Sequence, residues 1–160
     1  MEIIKVGMAD LNTIKSPGIL TTLGLGSCVG IALYDKNKKI AGLAHIMLPS
    51  SEEIKNNTKK AKFADTGIEL LIERMISIGS NKRSITAKIA GGSQMFNFNS
   101  NSDVLKVGKR NVEATKKKLR ELNIPIIGED TGGNYGRTIE LSAEDGLLLI
   151  KTIGHGTQVI

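Results

Sequence analysis

An α+β fold with largely antiparallel or mixed sheets is what this sequence of 160 residues predicts. Three observations carry the prediction. Several short strand-like runs are joined by polar turns, two stretches have the periodicity of amphipathic helices, and the regular strand–helix alternation of a doubly wound parallel sheet is missing. With 40% hydrophobic residues the chain can bury one sizeable core, and its length leaves little room for a second. The expected organisation is one domain over residues 1–160.

The elements follow in chain order. The opening MEIIKVGMADLNTI carries acids early and has no unbroken apolar stretch, so no secretion signal is expected; nowhere do the roughly 18 apolar residues of a membrane span run together. From Ile19 to Leu48 the pattern reads as two strands around a polar turn: CVGIALYD, then KNKK, then IAGLAHIML. The polar stretch PSSEEIKNNTKKAK, Pro49 to Lys62, has little to bury and reads as a mobile surface loop, either a lid beside a site or a tolerated insertion.

A helix follows, because Ile68, Leu71, Ile72, Met75 and Ile76 fall on one stripe. Asp65 or Thr66 is its expected cap, Thr66 and Glu69 have capping-box spacing, and Gly79 is the left-handed stop. Ile85, Ala87 and Ile89 alternate with polar residues in a strand that runs into Gly91 and Gly92. A second helix spans roughly Gly108 to Leu122, then come a strand through Pro125 to Ile127 and the glycine-rich loop GEDTGGNYGR. TIEL and LLLIKTI flank SAEDG, where Asp145 and Gly146 signal a hairpin; the closing GHGTQVI shows no pattern.

A single cysteine excludes an internal disulfide and an all-cysteine metal site, which suits a reducing compartment and points to the cytoplasm. The net charge of +6 would suit an acidic partner without choosing one. The lysine groups at 36, 38 and 39, at 59, 60 and 62, and at 116–118 read as solvated faces. Only 3% of residues are aromatic and Trp is absent, so a stacking surface for nucleic acid is not expected.

The stretch TLGLGSCV, Thr22 to Val29, concentrates the chemistry. Gly24, Gly26 and Gly30 almost spell a dinucleotide fingerprint, but the third glycine comes one residue late and the motif precedes a strand instead of opening a helix. A Rossmann site is therefore rejected, and no phosphate-loop motif occurs. Glycines can also turn successive backbone amides toward one point, and placed before a nucleophile such a turn forms an oxyanion hole. The amides of Ser27 and Cys28, supported by Gly24 and Gly26, are the candidates. A tight bend that merely permits close packing fits the same glycines.

If the hairpin turn is centred between Lys36 and Asn37, Cys28 stands directly across from His45. Directly opposed residues have Cβ atoms about 4.5 to 5.5 Å apart, near enough for a thiol and an imidazole to meet, and a slip of one residue would separate them onto opposite faces. An adjacent imidazole can take the thiol proton and hold a thiolate–imidazolium pair poised for an acyl group. Thr22, on the same face if the strand extends that far, would orient the ring. A buried small hydrophobe and a satisfied core histidine would account equally for Cys28 and His45. Cys28, His45 and His155 lack the short spacing of metal ligands, so neither a metal nor another cofactor is expected.

TLGLGSCV followed by GLAHIMLP, Gly42 to Pro49, resembles the CheD family of chemoreceptor glutamine deamidases. The likeness continues through KFADTGIELLIERM, KIAGGSQMF, VGKRNVEATKKKL and NIPIIGEDTGGNYGR, with Ser93 standing where an alanine is common. The resemblance implies hydrolysis of receptor glutamine side chains to glutamate by Cys28 as nucleophile, His45 as general base and acid, and Thr22 as the orienting residue. It also implies a β-sandwich-like core with flanking helices, similar to the catalytic domain of cytotoxic necrotizing factor toxins. Expected partners are methyl-accepting chemotaxis receptors, at whose arrays the protein would work, and CheC, a phosphatase of the response regulator CheY. A binding module acting through CheC and receptors without catalysis, and a cysteine peptidase, are the alternatives.

Overall fold

Ten strands in two five-stranded sheets, with two α-helices, make up the computed structural model, which describes residues 1–94 and 106–160. The strands are β1 (Glu2–Lys5), β2 (Asp10–Lys15), β3 (Gly18–Leu25), β4 (Val29–Asp35), β5 (Ile40–Ile46), β6 (Ile85–Gly91), β7 (Ile126–Thr131), β8 (Arg137–Ser142), β9 (Leu148–Thr152) and β10 (Gly156–Val159). The helices are α1 (Ala64–Ser77) and α2 (Val107–Glu121). One sheet has the order β1-β3-β8-β9-β10 and the other β2-β5-β4-β6-β7. The pairs β1–β3 and β6–β7 are parallel and the other pairs antiparallel, so the expected α+β class with mixed sheets holds.

Side-chain alternation explains the layering. On β4 and β5, Ala32, Tyr34, Ala41 and Leu43 join Leu20, Leu25, Ile139 and Leu148 in a core between the sheets. Their alternate neighbours Ile31, Leu33, Ala44 and Ile46 pack with Ile68, Leu71 and Met75 of α1 in a second core. Both faces of β4 and β5 are covered, which is why every residue of those strands is buried and why their sequence reads as an apolar run.

Several expectations need correction. The run from Ile19 is not one limb of a two-strand unit: β3 lies in the opposite sheet from β4 and β5, and the chain crosses between sheets through Gly26 to Cys28. The N-terminal residues and the closing GTQV form strands because β3 and β9 supply edges for them. The strand expected at Pro125 to Ile127 runs on through Gly128, Glu129, Asp130 and Thr131, paired in parallel with Lys88 to Gly91, so only the end of the glycine-rich segment is a loop. These are tertiary pairings that local pattern does not carry.

Helix α1 is likewise capped differently. Phe63 occupies the N-cap without a side-chain bond, and Asp65 and Thr66 lie inside the first turn. Asp65 accepts from the Ser51 amide and hydroxyl, and the Thr66 hydroxyl donates to the Lys60 carbonyl, so both tie residues 51–60 to the helix instead of capping it. That segment forms two short 3-10 turns, Ser51–Glu53 and Lys60–Lys62. Gly79 has φ +121° and ends the helix as expected, while Ile76 is exposed, outside the stripe of Ile68, Leu71, Ile72 and Met75. Met95 and Phe96, in the quoted KIAGGSQMF, lie outside the described residues.

Candidate active site

Four chain segments meet at one end of the inter-sheet core: the end of β3, the crossover Gly26 to Cys28, the end of β5, and the Gly91–Ser93 corner after β6. The β4–β5 hairpin sets the first relation. Its register pairs Gly30 with His45 and Val29 with Ile46, leaving Lys36, Asn37, Lys38 and Lys39 in the turn. The expected direct pairing of Cys28 with His45 is therefore wrong by two residues. Asp35 is the cause: its Oδ1 accepts from the amides of Asn37 and Lys38, and Lys39 takes φ +52°, which lengthens the turn.

A two-residue shift conserves the face. Continued one step past the strand, the register sets Cys28 against Met47, which makes His45 its diagonal neighbour on the inter-sheet side, with Gly30 directly opposite the imidazole. A Cβ at Gly30 would come within 2.5 Å of the Ile139 Cδ1 atom, so a larger residue there would push the tip of the Ile139 side chain aside. Gly24 takes φ +69° at the register break between Thr22 and Leu25 in β3, where a bulge lets the chain leave its sheet.

Thr22 reaches the histidine from the other sheet, not along a common strand with Cys28 as expected. It points into the core beside Leu20, fully buried, and its Oγ1 lies 2.7 Å from His45 Nδ1 and 2.7 Å from the Val6 carbonyl oxygen. A hydroxyl has one proton, and the Val6 carbonyl can only accept. Thr22 therefore donates to Val6 and accepts from Nδ1–H, which assigns the proton of the neutral ring to Nδ1. His45 Nε2 is left as an acceptor with no hydrogen-bond partner among the described residues, the Cys28 thiol included.

Burial sets the protonation states. His45 is 1% exposed, and desolvation pushes its pKa down to about 4. Cys28 is a buried free thiol whose pKa is raised by burial, with its own backbone amide pulling the other way. Burial thus favours the thiol and the neutral imidazole over a thiolate–imidazolium pair, because neither charge is favoured away from water. A stability effect follows. The unfolded chain binds the imidazole proton near the ordinary value of about 6.5 and the native chain only near 4, so the unfolded state takes up more protons between these values. Stability present above about pH 6.5 is lost as pH falls to about 4, by up to about 3 kcal/mol. Denaturant midpoints of the wild type should fall more steeply through this window than those of His45→Gln; parallel curves would remove the effect.

The crossover is held by its carbonyls. Gly26 O accepts from Ser93 N at 2.8 Å, Ser27 O from Asn111 Nδ2 at 2.9 Å, and Cys28 O from Gly92 N at 2.8 Å. Among the described residues, the Ser27 and Cys28 amides donate to no carbonyl. Arg137, fully buried, supports the corner by donating Nη1 to Ser93 Oγ at 2.8 Å and Nε to Asp130 at 3.2 Å. The sequence reading missed Ser93, Asn111 and Arg137. One signal was present: Asn111 falls on the buried face of α2 with Gly108, Thr115 and Leu119, a polar residue in a stripe meant for packing.

His155 lies apart from this site, exposed in the turn before β10 with its ring 4.2 Å from that of Tyr135. Among the described residues no three His, Cys, Asp or Glu side chains are grouped to hold a metal, and no helix is long and apolar enough to cross a membrane.

Comparison with known proteins bears on the whole chain. A family model described as CheD chemotactic sensory transduction matches residues 47–152. A protein of Caldanaerobacter subterraneus named probable chemoreceptor glutamine deamidase CheD is 62% identical over 99% of this chain and 98% of its own length. The chain belongs to the CheD family. Another member, the chemoreceptor glutamine deamidase CheD of Halalkalibacterium halodurans, is 53% identical over 99% of both chains. The family-model match begins after His45, whereas these relatives align across the hairpin that carries Cys28 and His45. Among solved structures, the hypothetical protein YfiH of Bacillus licheniformis is similar with a TM-score of 0.47 and 18% identity, covering 76% of this chain and 50% of that one.

Proposed function

We propose that this CheD-family protein is a cysteine amidohydrolase that deamidates glutamine side chains of chemotaxis receptors. The observation that carries the chemistry is the Thr22–His45 hydrogen bond, which leaves Nε2 without a partner among the described residues, on the inter-sheet face that Cys28 shares. The substrate class is supported by the deamidase names of relatives that align over nearly the full chain.

In this reading Cys28 Sγ attacks the carboxamide carbon while its proton passes to His45 Nε2. Because the resting pair is neutral, thiolate forms as the sulfur engages the substrate; the thiol–imidazole contact closes on binding, as catalytic hydrogen bonds of free enzymes often do. The S–C bond forms and the carbonyl oxygen becomes an oxyanion facing the Ser27 and Cys28 amides, with Gly24 and Gly26 shaping the bend. His45 returns the proton to the leaving nitrogen and ammonia departs. Water, deprotonated by the same Nε2, then attacks the thioester; the C–S bond breaks, the thiol is restored and the side chain leaves as glutamate. The likeness to the necrotizing factor catalytic domain and the partnership with CheC belong to the same proposal, supported by the sequence motifs alone.

The test is to incubate a receptor cytoplasmic fragment with the wild type and with Cys28→Ala and to map glutamine-to-glutamate conversion by peptide mass spectrometry. Conversion confined to the wild type is expected. Conversion that survives Cys28→Ala removes the thiol from the mechanism, backbone cleavage points to a peptidase, and CheC binding without conversion points to the adaptor.

A further inference from the structure

We infer that Asn111 is a positioning residue for the oxyanion hole: its side-chain amide holds the Ser27 carbonyl and thereby aims the Cys28 N–H at the reacting carbonyl oxygen. The inference rests on the reading of Cys28 as nucleophile.

The geometry begins with the seating of α2. A Cβ at Gly108 would lie 2.3 Å from the Ser93 carbonyl oxygen and 2.6 Å from that of Gly92, and a Cβ at Gly92 would lie 2.3 Å from Val112 Cγ2. Two missing side chains thus let the first turns of the helix rest directly on the Gly92–Ser93 corner. Asn111, one turn beyond Gly108, then enters between the ends of β4 and β5. Its Nδ2 donates to the carbonyls of Ser27 and Met47, both at 2.9 Å. Two donated bonds fix the orientation of the amide, while its buried Oδ1 has no partner among the described residues.

Peptide planarity turns that anchor into an aim. The Ser27 carbonyl and the Cys28 N–H belong to one trans peptide unit and point in opposite directions. Fixing the carbonyl toward α2 therefore sends the Cys28 N–H to the other side of the chain, away from the helix. The Ser93 amide does the same for the Ser27 N–H through the Gly26 carbonyl. The second bond of Asn111, to Met47, ties the chain just after His45 to the chain just before Cys28, so one side chain bridges the two segments that bear the reacting groups.

Asn111→Leu removes both donors at similar volume, and Asn111→Asp keeps the shape while losing them. Both are measured for kcat and KM on the receptor fragment, for Cys28 alkylation by iodoacetamide and for cooperative melting. Displacement at the saturated carbon of iodoacetamide develops no oxyanion, so it reports the thiol alone. The expected result is a fall in kcat of about tenfold to a hundredfold, the scale of a misplaced catalytic group, with KM and the alkylation rate each within about twofold of wild type by the same argument. Wild-type kcat in a folded variant overturns the inference, as does a rise in KM alone or an alkylation rate that falls in step with kcat. If neither variant folds, Asn111 is a structural residue and the inference is withdrawn. Activity retained by Cys28→Ala instead overturns the nucleophile reading, whatever Asn111 does.

Discussion

Cys28→Ala and His45→Ala are each expected to lower the deamidation rate by on the order of 10⁴- to 10⁶-fold, and the double variant to be no slower than the worse single. The reason is that, in the proposed mechanism, the two side chains perform one act. A buried thiol with a raised pKa supplies almost no thiolate by itself, and in the proposed mechanism its proton goes to His45 Nε2, which has no other partner among the described residues. Without the sulfur the imidazole has nothing to activate; without the imidazole the sulfur remains a thiol in an apolar core. The measurement is ammonia release from the receptor fragment by the two single variants and the double, each checked for cooperative melting. Losses that multiply in the double variant would show two independent contributions and sink the paired mechanism. A His45→Ala variant within tenfold of wild type would do the same.

The legible part of this site was set by local rules and the illegible part by contacts across the fold. The β4–β5 hairpin was readable because two apolar runs flank KNKK, and its face assignment survived because a two-residue error in register leaves side-chain parity unchanged. The error came from the Asp35 carboxylate organising the turn, a hydrogen-bond choice that composition does not decide. Thr22 was assigned to the orienting role for a geometric reason that fails: the crossover at Gly26 to Cys28 moves it to the other sheet, and it meets His45 across the core. The contributions of Asn111, Ser93 and Arg137 depend on where α2 and β8 settle against the crossover. Polar residues inside buried stripes were the trace of those contacts in the sequence, and α1, with its clean apolar face, had none to find.

Thr22→Val should cost about 10² to 10⁴ in kcat, the range set by an imidazole held in the wrong tautomer, while Thr22→Ser should stay close to wild type because it keeps the hydroxyl. In the native site the Thr22 oxygen accepts from Nδ1–H and donates to Val6, and this leaves Nε2 free of a proton, as the proposed mechanism needs of its base. Valine keeps the shape and removes both bonds. A buried Nδ1–H without an acceptor costs about 1–3 kcal/mol, which the ring can avoid by moving its proton to Nε2. That tautomer presents a donor where the mechanism needs an acceptor. Nitrogen NMR of the ¹⁵N-labelled imidazole separates the alternatives: the wild type should show a protonated Nδ1 and a bare Nε2, and Thr22→Val a shift of the proton toward Nε2. A loss of activity with the wild-type tautomer intact would assign Thr22 to packing alone. Full activity with the tautomer reversed would mean that His45 Nε2 is not the base, and the chemistry built on it would have to be abandoned.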